Sequence, residues 1–329
     1  MKNRTHWAAV LAALSATALV LTACSSSPGS TVNAPSGKTE QKTEQVKVAV
    51  LAPGSLQWLH AIAEARGFYA DHGVSVQSIQ VQNSSGLVQA VASGSADAGI
   101  ALGDNVISAV DQGADVTITG ALFQRAALRL YGAPGITKVS QLNGAPVTAG
   151  AVQGGTFDLL VYFLKKGGVD TSTITPVAIP NSSDRVVAME NGQVKGGLLI
   201  PPFDTLAERK GATLLATYDD FYVQTPSIVN RTWAKAHPDA ARGFTQGLQD
   251  AAKWIAQKDN KAAAVDILAK YASVDKDAAG AAYDFLVGSK IFSPDLSVPE
   301  KGLTNIIAVS GRDVKNFEPK KYVDTQYLK

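Results

Sequence analysis

The chain contains an internal repeat, in which residues 83–102 and residues 181–200 align without a gap. Both segments begin with Asn-Ser-Ser, continue into a helix pattern, pass a glycine that would end the helix and finish in an apolar strand. A strand, a loop and a helix pattern precede each segment, over residues 46–69 and 147–166. The repeat therefore predicts two similar βαβαβ halves. The similarity would also arise between two unrelated βαβ units, because Asn-Ser-Ser is a common helix start.

Strand and helix patterns alternate along the first part of the chain, which favours an α/β fold with mainly parallel sheets flanked by helices. We predict strands over 46–52, 74–81, 98–102 and 116–122, with helices over 57–71 and 87–93. The last part has helical periodicity without strands, over 231–256, 261–271 and 277–289, with a new helix beginning at Pro238. This block must pack on one of the two halves.

The first residues are typical of an export signal. Lys2 and Arg4 precede an uncharged, Ala-rich stretch that is shorter and less apolar than a membrane span. The stretch ends in Leu-Thr-Ala-Cys, which resembles the lipobox of bacterial lipoproteins and implies a signal peptide over 1–23 and lipidation of Cys24, the only cysteine. Residues 24–45 resemble a flexible tether. We therefore expect an exported protein, lipid-anchored to the outer face of the cytoplasmic membrane.

Charge and motifs argue against several functions. The chain has 30 Lys and Arg against 28 Asp and Glu, and loss of Lys2 and Arg4 leaves 28 against 28, so nothing indicates nucleic-acid binding. The sequence has no nucleophile elbow, no zinc-protease motif and no metal-spaced histidines. We expect a binding protein without catalytic activity, cofactor or metal. No oligomerisation signature is visible, so we expect a monomer.

Several segments together resemble one family, namely residues 52–55, 65–69, 84–105, 140–144, 200–203 and 322–328. Their order and spacing resemble the nitrate/sulfonate/taurine-type ABC binding proteins, a group that includes thiamine-precursor binders. The resemblance implies a type II periplasmic-binding fold, with lobe one over 46–132 plus 228–329 and lobe two over 133–227. It also implies a small-molecule ligand in the cleft between the lobes, and an ABC permease with its ATPase as partner.

Candidate ligand contacts in lobe one follow the ends of its predicted strands. They combine hydroxyl, amide and charged groups with helix starts, where free backbone N–H groups favour an anion. These candidates are Ser55, Gln57, Trp58, Ser84, Ser85, Gly103, Asp104, Asn105, Gln124 and Arg125.

Most of these residues also have a structural interpretation. Ser55, Asp104 and the two serines at 84–85 suit helix N-caps, and Trp58 suits the core. Arg125 would clamp a carboxylate or sulfonate with two nitrogens, or it would lie in solvent.

In lobe two, a pair of glycines precedes a clear helix pattern. The glycines would let the backbone approach a ligand, or they would form a plain tight turn. Prolines after the last strand would hold an aromatic ring against a planar ligand, or they would start a helix with the ring in the core. These candidates are Gln153, Gly154, Gly155, Thr156, Pro202 and Phe203.

The ligand class follows from these side chains. Helix N-termini, hydroxyls and glycine loops suit an oxyanion, while aromatic rings suit a planar or apolar body. A sulfonate, carboxylate or related oxyanion with an organic body satisfies both requirements. A pyrimidine, a thiamine precursor engaged by Asp104 or another vitamin is the alternative, and so is a sensor role without transport.

Overall fold

A computed structural model of the protein describes residues 43–329. The predictions on the signal peptide, on lipidated Cys24 and on most of the tether lie outside the described residues. Within residues 43–329, no helix combines the length and apolar character needed to cross a bilayer.

The strands of the described residues are β1 Glu44–Val50, β2 Val74–Gln80, β3 Ala98–Ile100, β4 Val116–Arg125, β5 Arg129–Gly132, β6 Pro146–Thr148, β7 Thr175–Pro176, β8 Gly196–Leu199, β9 Thr213–Ala216 and β10 Phe221–Asn230. The helices are α1 Trp58–Arg66, α2 Phe68–Asp71, α3 Ser84–Ala92, α4 Gly103–Asp111, α5 Gly155–Lys166, α6 Ser182–Glu190, α7 Phe203–Arg209, α8 Arg231–Ala236, α9 Pro238–Ile255, α10 Lys261–Ala272, α11 Lys276–Gly288 and α12 Glu300–Val309.

The strands form two five-stranded sheets, with the orders β2-β1-β3-β10-β4 and β7-β6-β8-β5-β9. In each sheet the fourth strand is antiparallel to both neighbours. The other four strands of each sheet run in one direction. The predicted α/β fold class, with two mainly parallel, helix-flanked sheets, is confirmed.

The chain passes between the sheets twice. β4 ends in the first sheet at Arg125 and β5 begins in the second at Arg129, while the return lies between Ala216 and Phe221. We call residues 44–125 and 221–328 the first half, and residues 129–216 the second half. β5 thus belongs to the second sheet and β10 to the first, whereas the lobe boundaries predicted above fall inside or just after these strands.

The internal repeat corresponds to equivalent parts of the two sheets. α3 leads into β3 in the first half, and α6 leads into β8 in the second. β3 pairs in parallel with β1, and β8 pairs in parallel with β6, so each is third in its sheet. The two segments therefore occupy matching structural positions.

Local departures from the predicted elements have simple causes. β1 begins at Glu44 because the residues before Val46 already pair with β2. The helix predicted over 57–71 is broken at Gly67, whose φ of 77° is left-handed and whose N–H caps α1. A new helix does begin at Pro238, and α9 packs against α1, α2 and β1 of the first half.

Candidate functional site

A cavity of about 710 Å³ lies between the two halves. Its walls are the residues that follow the carboxyl ends of β1, β2 and β3 in the first half and of β6, β7 and β8 in the second. Leu128 at the first crossing and residues 271–273 at the end of α10 complete the wall. Open α/β sheets bind ligands at this edge, where the following helices present their N-termini.

The cavity brings together predicted residues from both halves, although they are far apart in the sequence. The predicted residues that line it are Ser55, Ser84, Ser85, Asp104, Asn105, Gln153, Gly155, Thr156 and Phe203. Gly154 and Pro202 flank lining residues but do not line the cavity themselves.

Trp58 and Gln57 point into the first half instead of the cavity. The Trp58 ring is fully buried, packs edge-on against Tyr283 at 6.3 Å between ring centroids, and donates its indole N–H to the Ala264 carbonyl at 3.1 Å. Gln57 is also fully buried and donates from Nε2 to the Ile100 carbonyl at 3.3 Å. Trp58 is therefore a core residue and not a ligand contact, which were the two alternatives for it.

Gly103, Gln124 and Arg125 also lie off the cavity. An added Cβ on Gly103 would overlap the Val223 carbonyl, so this glycine serves close packing with β10. Gln124 donates from Nε2 to the Ser297 hydroxyl at 2.9 Å. The Arg125 guanidinium donates to the Asp219 carbonyl at 2.7 Å, near the second crossing.

A hydrogen bond joins the two halves across the cavity. The backbone N–H of Gly155, at the start of α5, donates to Asp104 Oδ2 at 2.8 Å. Burial is the main reason that the pKa of the Asp104 carboxyl is raised to about 6; the Gly155 N–H opposes this rise, and the nearby Asp158 carboxylate adds to it. An added Cβ on Gly155 would overlap the Asp104 carboxyl group, so only glycine permits this approach.

A second contact between the halves involves Ser55. The Ser55 hydroxyl is fully buried and donates to the Pro201 carbonyl. The Phe203 ring lies close to the Gly54 backbone, since an added Cβ there would be 3.5 Å from Phe203 Cε2. Phe203 is 9% exposed and forms an apolar wall of the cavity.

Arg185 lines the cavity and was not predicted. Its side chain is 5% exposed and takes part in none of the ion pairs found among residues 43–329. Nη1 donates to the carbonyls of Ile179 at 3.0 Å and Pro180 at 2.9 Å, and Nη2 donates to the Ser182 hydroxyl, while the buried Nε has no acceptor. Burial lowers the pKa of Arg185 to about 10.

The internal repeat contained a signal for Arg185. In the alignment of the two segments, Arg185 matches Leu87, which is fully buried in the first half. A charged residue at the position of a core leucine is unusual, because a buried charge without a partner is costly. Comparing the repeats position by position would have identified this residue.

The matching helices α3 and α6 differ at their N-termini. In α3 the Asn83 side chain caps the helix by accepting from the Gly86 N–H at 2.9 Å, and Ser84 Oγ accepts from the Leu102 N–H. In α6 the equivalent Asn181 makes no capping hydrogen bond. Polar groups at the start of α3 are thus satisfied within the protein, whereas the first N–H groups of α6 have no side-chain cap.

The chain matches the family described as NMT1/THI5 like over residues 60–262. No match was found among curated proteins. Among solved structures, the chain is similar to the ligand-binding component of an ABC-type import system from Staphylococcus aureus, solved with zinc bound. The two chains are 14% identical with a TM-score of 0.71, and the alignment covers 87% of this chain and 98% of that one.

Two further solved structures are similar. The alkanesulfonate-binding protein SsuA from Xanthomonas axonopodis pv. citri, bound to MOPS, is 17% identical with a TM-score of 0.62, covering 76% of this chain and 94% of that one. The periplasmic nitrate-binding protein NrtA from Synechocystis is 14% identical with a TM-score of 0.61, covering 72% and 69%. The predicted family resemblance and periplasmic-binding fold are confirmed. The chain belongs to the NMT1/THI5-like family.

Proposed function

We propose that this chain is the extracytoplasmic solute-binding component of an ABC importer. It captures a small molecule in the cavity between the halves and presents it to the permease, which works with an ATPase. The observation that carries the proposal is that both halves build the cavity and meet across it through Asp104 and Gly155. A ligand there would contact both halves and stabilise their closed arrangement. The similarity to binding components of import systems supports this role.

The proposed ligand is a sulfonate, a carboxylate or a related oxyanion with an organic body. The cavity contains the N-termini of α5 and α6, and hydroxyl groups that include those of Ser182 and Thr156. Arg185 adds a buried positive charge. The Phe203 ring and the Leu128 side chain form apolar walls that suit the organic part. These groups complement an anionic head on an apolar body.

The proposal includes two lobes, export and a lipid anchor. We place the crossings between the lobes at residues 126–128 and 217–220, where the chain leaves one sheet and enters the other. Acylation of Cys24 would hold the protein at the outer face of the cytoplasmic membrane. Replacing Cys24 by Ala should move the protein from the membrane fraction to the soluble fraction, which fractionation and immunoblotting would detect.

A thermal-shift screen of the purified protein tests the binding function. The compounds are sulfonates, nitrate, aromatic carboxylates, pyrimidines and vitamins. A ligand at 100 times its dissociation constant stabilises the folded protein by about 2.7 kcal/mol, which raises Tm by several degrees. A shift with one chemical class would support the proposal and name that class. A flat response to every compound would argue against a small-molecule ligand of these types.

A pyrimidine, a thiamine precursor or another vitamin is the second candidate ligand. The observation that favours it is the partly buried Asp104 carboxyl group in the cavity wall, with its pKa raised to about 6. Such a group can accept a hydrogen bond from a ring amine. A shift with pyrimidines and none with sulfonates or carboxylates would favour this candidate. Uptake of the labelled ligand by cells with and without the protein would separate transport from a sensor role.

A further inference from the structure

Arg185 is a buried cation that takes part in none of the ion pairs found among residues 43–329. The residue is 5% exposed, and its hydrogen bonds go to two carbonyls and one hydroxyl, all of them neutral. A buried charge is stable only when it is paired or well solvated by hydrogen bonds, and Nε lacks an acceptor. Asp184 is the neighbouring carboxylate, but its side chain accepts from Asn181 instead.

Two groups beside Arg185, the Ser182 hydroxyl and the first N–H groups of α6, are available to donate to a ligand. Nη1 is held by the Ile179 and Pro180 carbonyls, which fixes the plane of the guanidinium. The Ser182 hydroxyl oxygen accepts from Nη2, which leaves its own proton free for another acceptor. The uncapped N-terminus of α6 adds backbone N–H groups and a partial positive charge at the same place.

The opposite side of the cavity has the opposite character. Asp104 belongs to the first half, and its carboxylate would repel an anion placed near it. The N-terminus of α3 is capped by Asn83, and the residue that matches Arg185 is the apolar Leu87. The helices α3 and α6, which occupy matching positions in the repeat, therefore differ in charge, in capping and in the number of free hydrogen-bond donors at their N-termini.

We propose that the anionic group of the ligand binds at the N-terminus of α6 in the second half, with Arg185 as its counter-ion and Ser182 as a hydroxyl donor. The α3 side of the cavity contacts the uncharged part of the ligand. This inference rests on the proposed binding function and assigns the end of the cavity that each part of the ligand occupies. A single guanidinium suits one negative charge, as in a carboxylate or a sulfonate.

Matched variants of the two repeats provide the test. Arg185→Leu introduces the residue that the other repeat has, and Arg185→Lys keeps the charge but loses the planar donor edge. Ser182→Ala and Ser84→Ala remove the equivalent hydroxyl from each repeat. The probes are two anions, benzoate and benzenesulfonate, each compared with its neutral amide, benzamide or benzenesulfonamide. Any oxyanion that shifts the Tm of the wild-type protein is added to them. Calorimetry gives dissociation constants, and circular dichroism checks that each variant is folded.

We expect the wild-type protein to bind at least one oxyanion and to bind its neutral amide much more weakly. Arg185→Leu should weaken oxyanion binding by about 100-fold or more, Arg185→Lys by less, and Ser182→Ala should weaken it more than Ser84→Ala does. Without ligand, Arg185→Leu should leave Tm unchanged or raise it, because it removes an unpaired buried charge.

Three results would overturn the inference. One is oxyanion affinity in Arg185→Leu within about threefold of wild type. Another is loss of oxyanion binding in Ser84→Ala but not in Ser182→Ala, which would move the anion to α3. The third is a wild-type protein that responds to pyrimidines or vitamins but to no oxyanion, which would leave the binding function intact and remove only the anion site.

Discussion

Asp104 and Arg185 bring opposite charges into one cavity from opposite halves of the molecule. Burial shifts both pKa values towards the neutral forms, to about 6 for Asp104 and to about 10 for Arg185. Asp104 accepts a backbone N–H from the other half, while Arg185 donates only to groups of its own half. The cavity is therefore electrically asymmetric, which would orient a polar ligand before the halves close on it.

The pKa of Asp104 predicts how stability depends on pH. Burial raises the pKa of Asp104 from 3.8 to about 6. At pH values between these two, the protein therefore takes up a proton on this carboxyl group when it folds. The cost of burying the carboxylate is absent below the lower value and complete above the upper one. Relative to Asp104→Asn, the wild-type free energy of unfolding should fall by up to about 3 kcal/mol between about pH 4 and pH 7.

Urea unfolding of both proteins across this pH range measures the difference. Groups other than Asp104 titrate in both proteins, so their contribution cancels. Parallel pH profiles for wild type and variant would contradict the raised pKa of Asp104.

At the scale of elements, α3 and α6 give a paired prediction. Asn83 caps α3 through the Gly86 N–H, so Asn83→Ala should lower the free energy of unfolding by about 1 kcal/mol. Asn181 makes no capping hydrogen bond to α6, so Asn181→Ala should cost less than about 0.5 kcal/mol. Equilibrium unfolding in urea compares the two variants. Equal losses would mean that the N-termini of the two helices do not differ as described.

At the scale of the whole molecule, the contacts between the halves include two hydrogen bonds at the cavity and one exposed ion pair. The hydrogen bonds run from the Gly155 N–H to the partly buried Asp104 carboxyl group, and from the buried Ser55 hydroxyl to the Pro201 carbonyl. The ion pair is between Arg209 of α7 and Asp275 before α11, at 2.6 Å between Nη1 and Oδ2. Exposed ion pairs contribute little, so the hydrogen bonds at the cavity should contribute more to closure than this ion pair.

Gly155→Ala should hold the halves apart. Its Cβ would overlap the Asp104 carboxyl group, so ligand affinity should fall by about tenfold or more, while each half keeps its own packing. Gly280→Ala in α11 is the control, because its Cβ would meet nothing within 4 Å. Calorimetry measures the affinity, and small-angle scattering should show less ligand-induced compaction in Gly155→Ala than in the control. Equal compaction in both would contradict this role for Gly155.

Much of the candidate site follows from one rule about strand ends. Ser55, Asp104 and Phe203 line the cavity because each follows the carboxyl end of a strand in an open α/β sheet. Trp58 lies one helical turn further along and faces inward, and strand β4 continues to Arg125, near the chain crossing instead of the cavity. The direction of a side chain at the start of a helix depends on where the preceding loop turns, which local patterns do not specify.

The sequence by itself determined the alternation of strands and helices, the two related halves and the family, because periodicity and repeats are local properties of the chain. Only the tertiary structure decided that the Gly155 N–H donates to Asp104. It also decided that Arg185 is buried and that no carboxylate among residues 43–329 forms an ion pair with it. The Gly155–Asp104 contact depends on how the two sheets face each other, whereas the groups that hold Arg185 belong to its own half. Contacts between residues distant in the chain arise from that packing, and no short segment of the sequence records it.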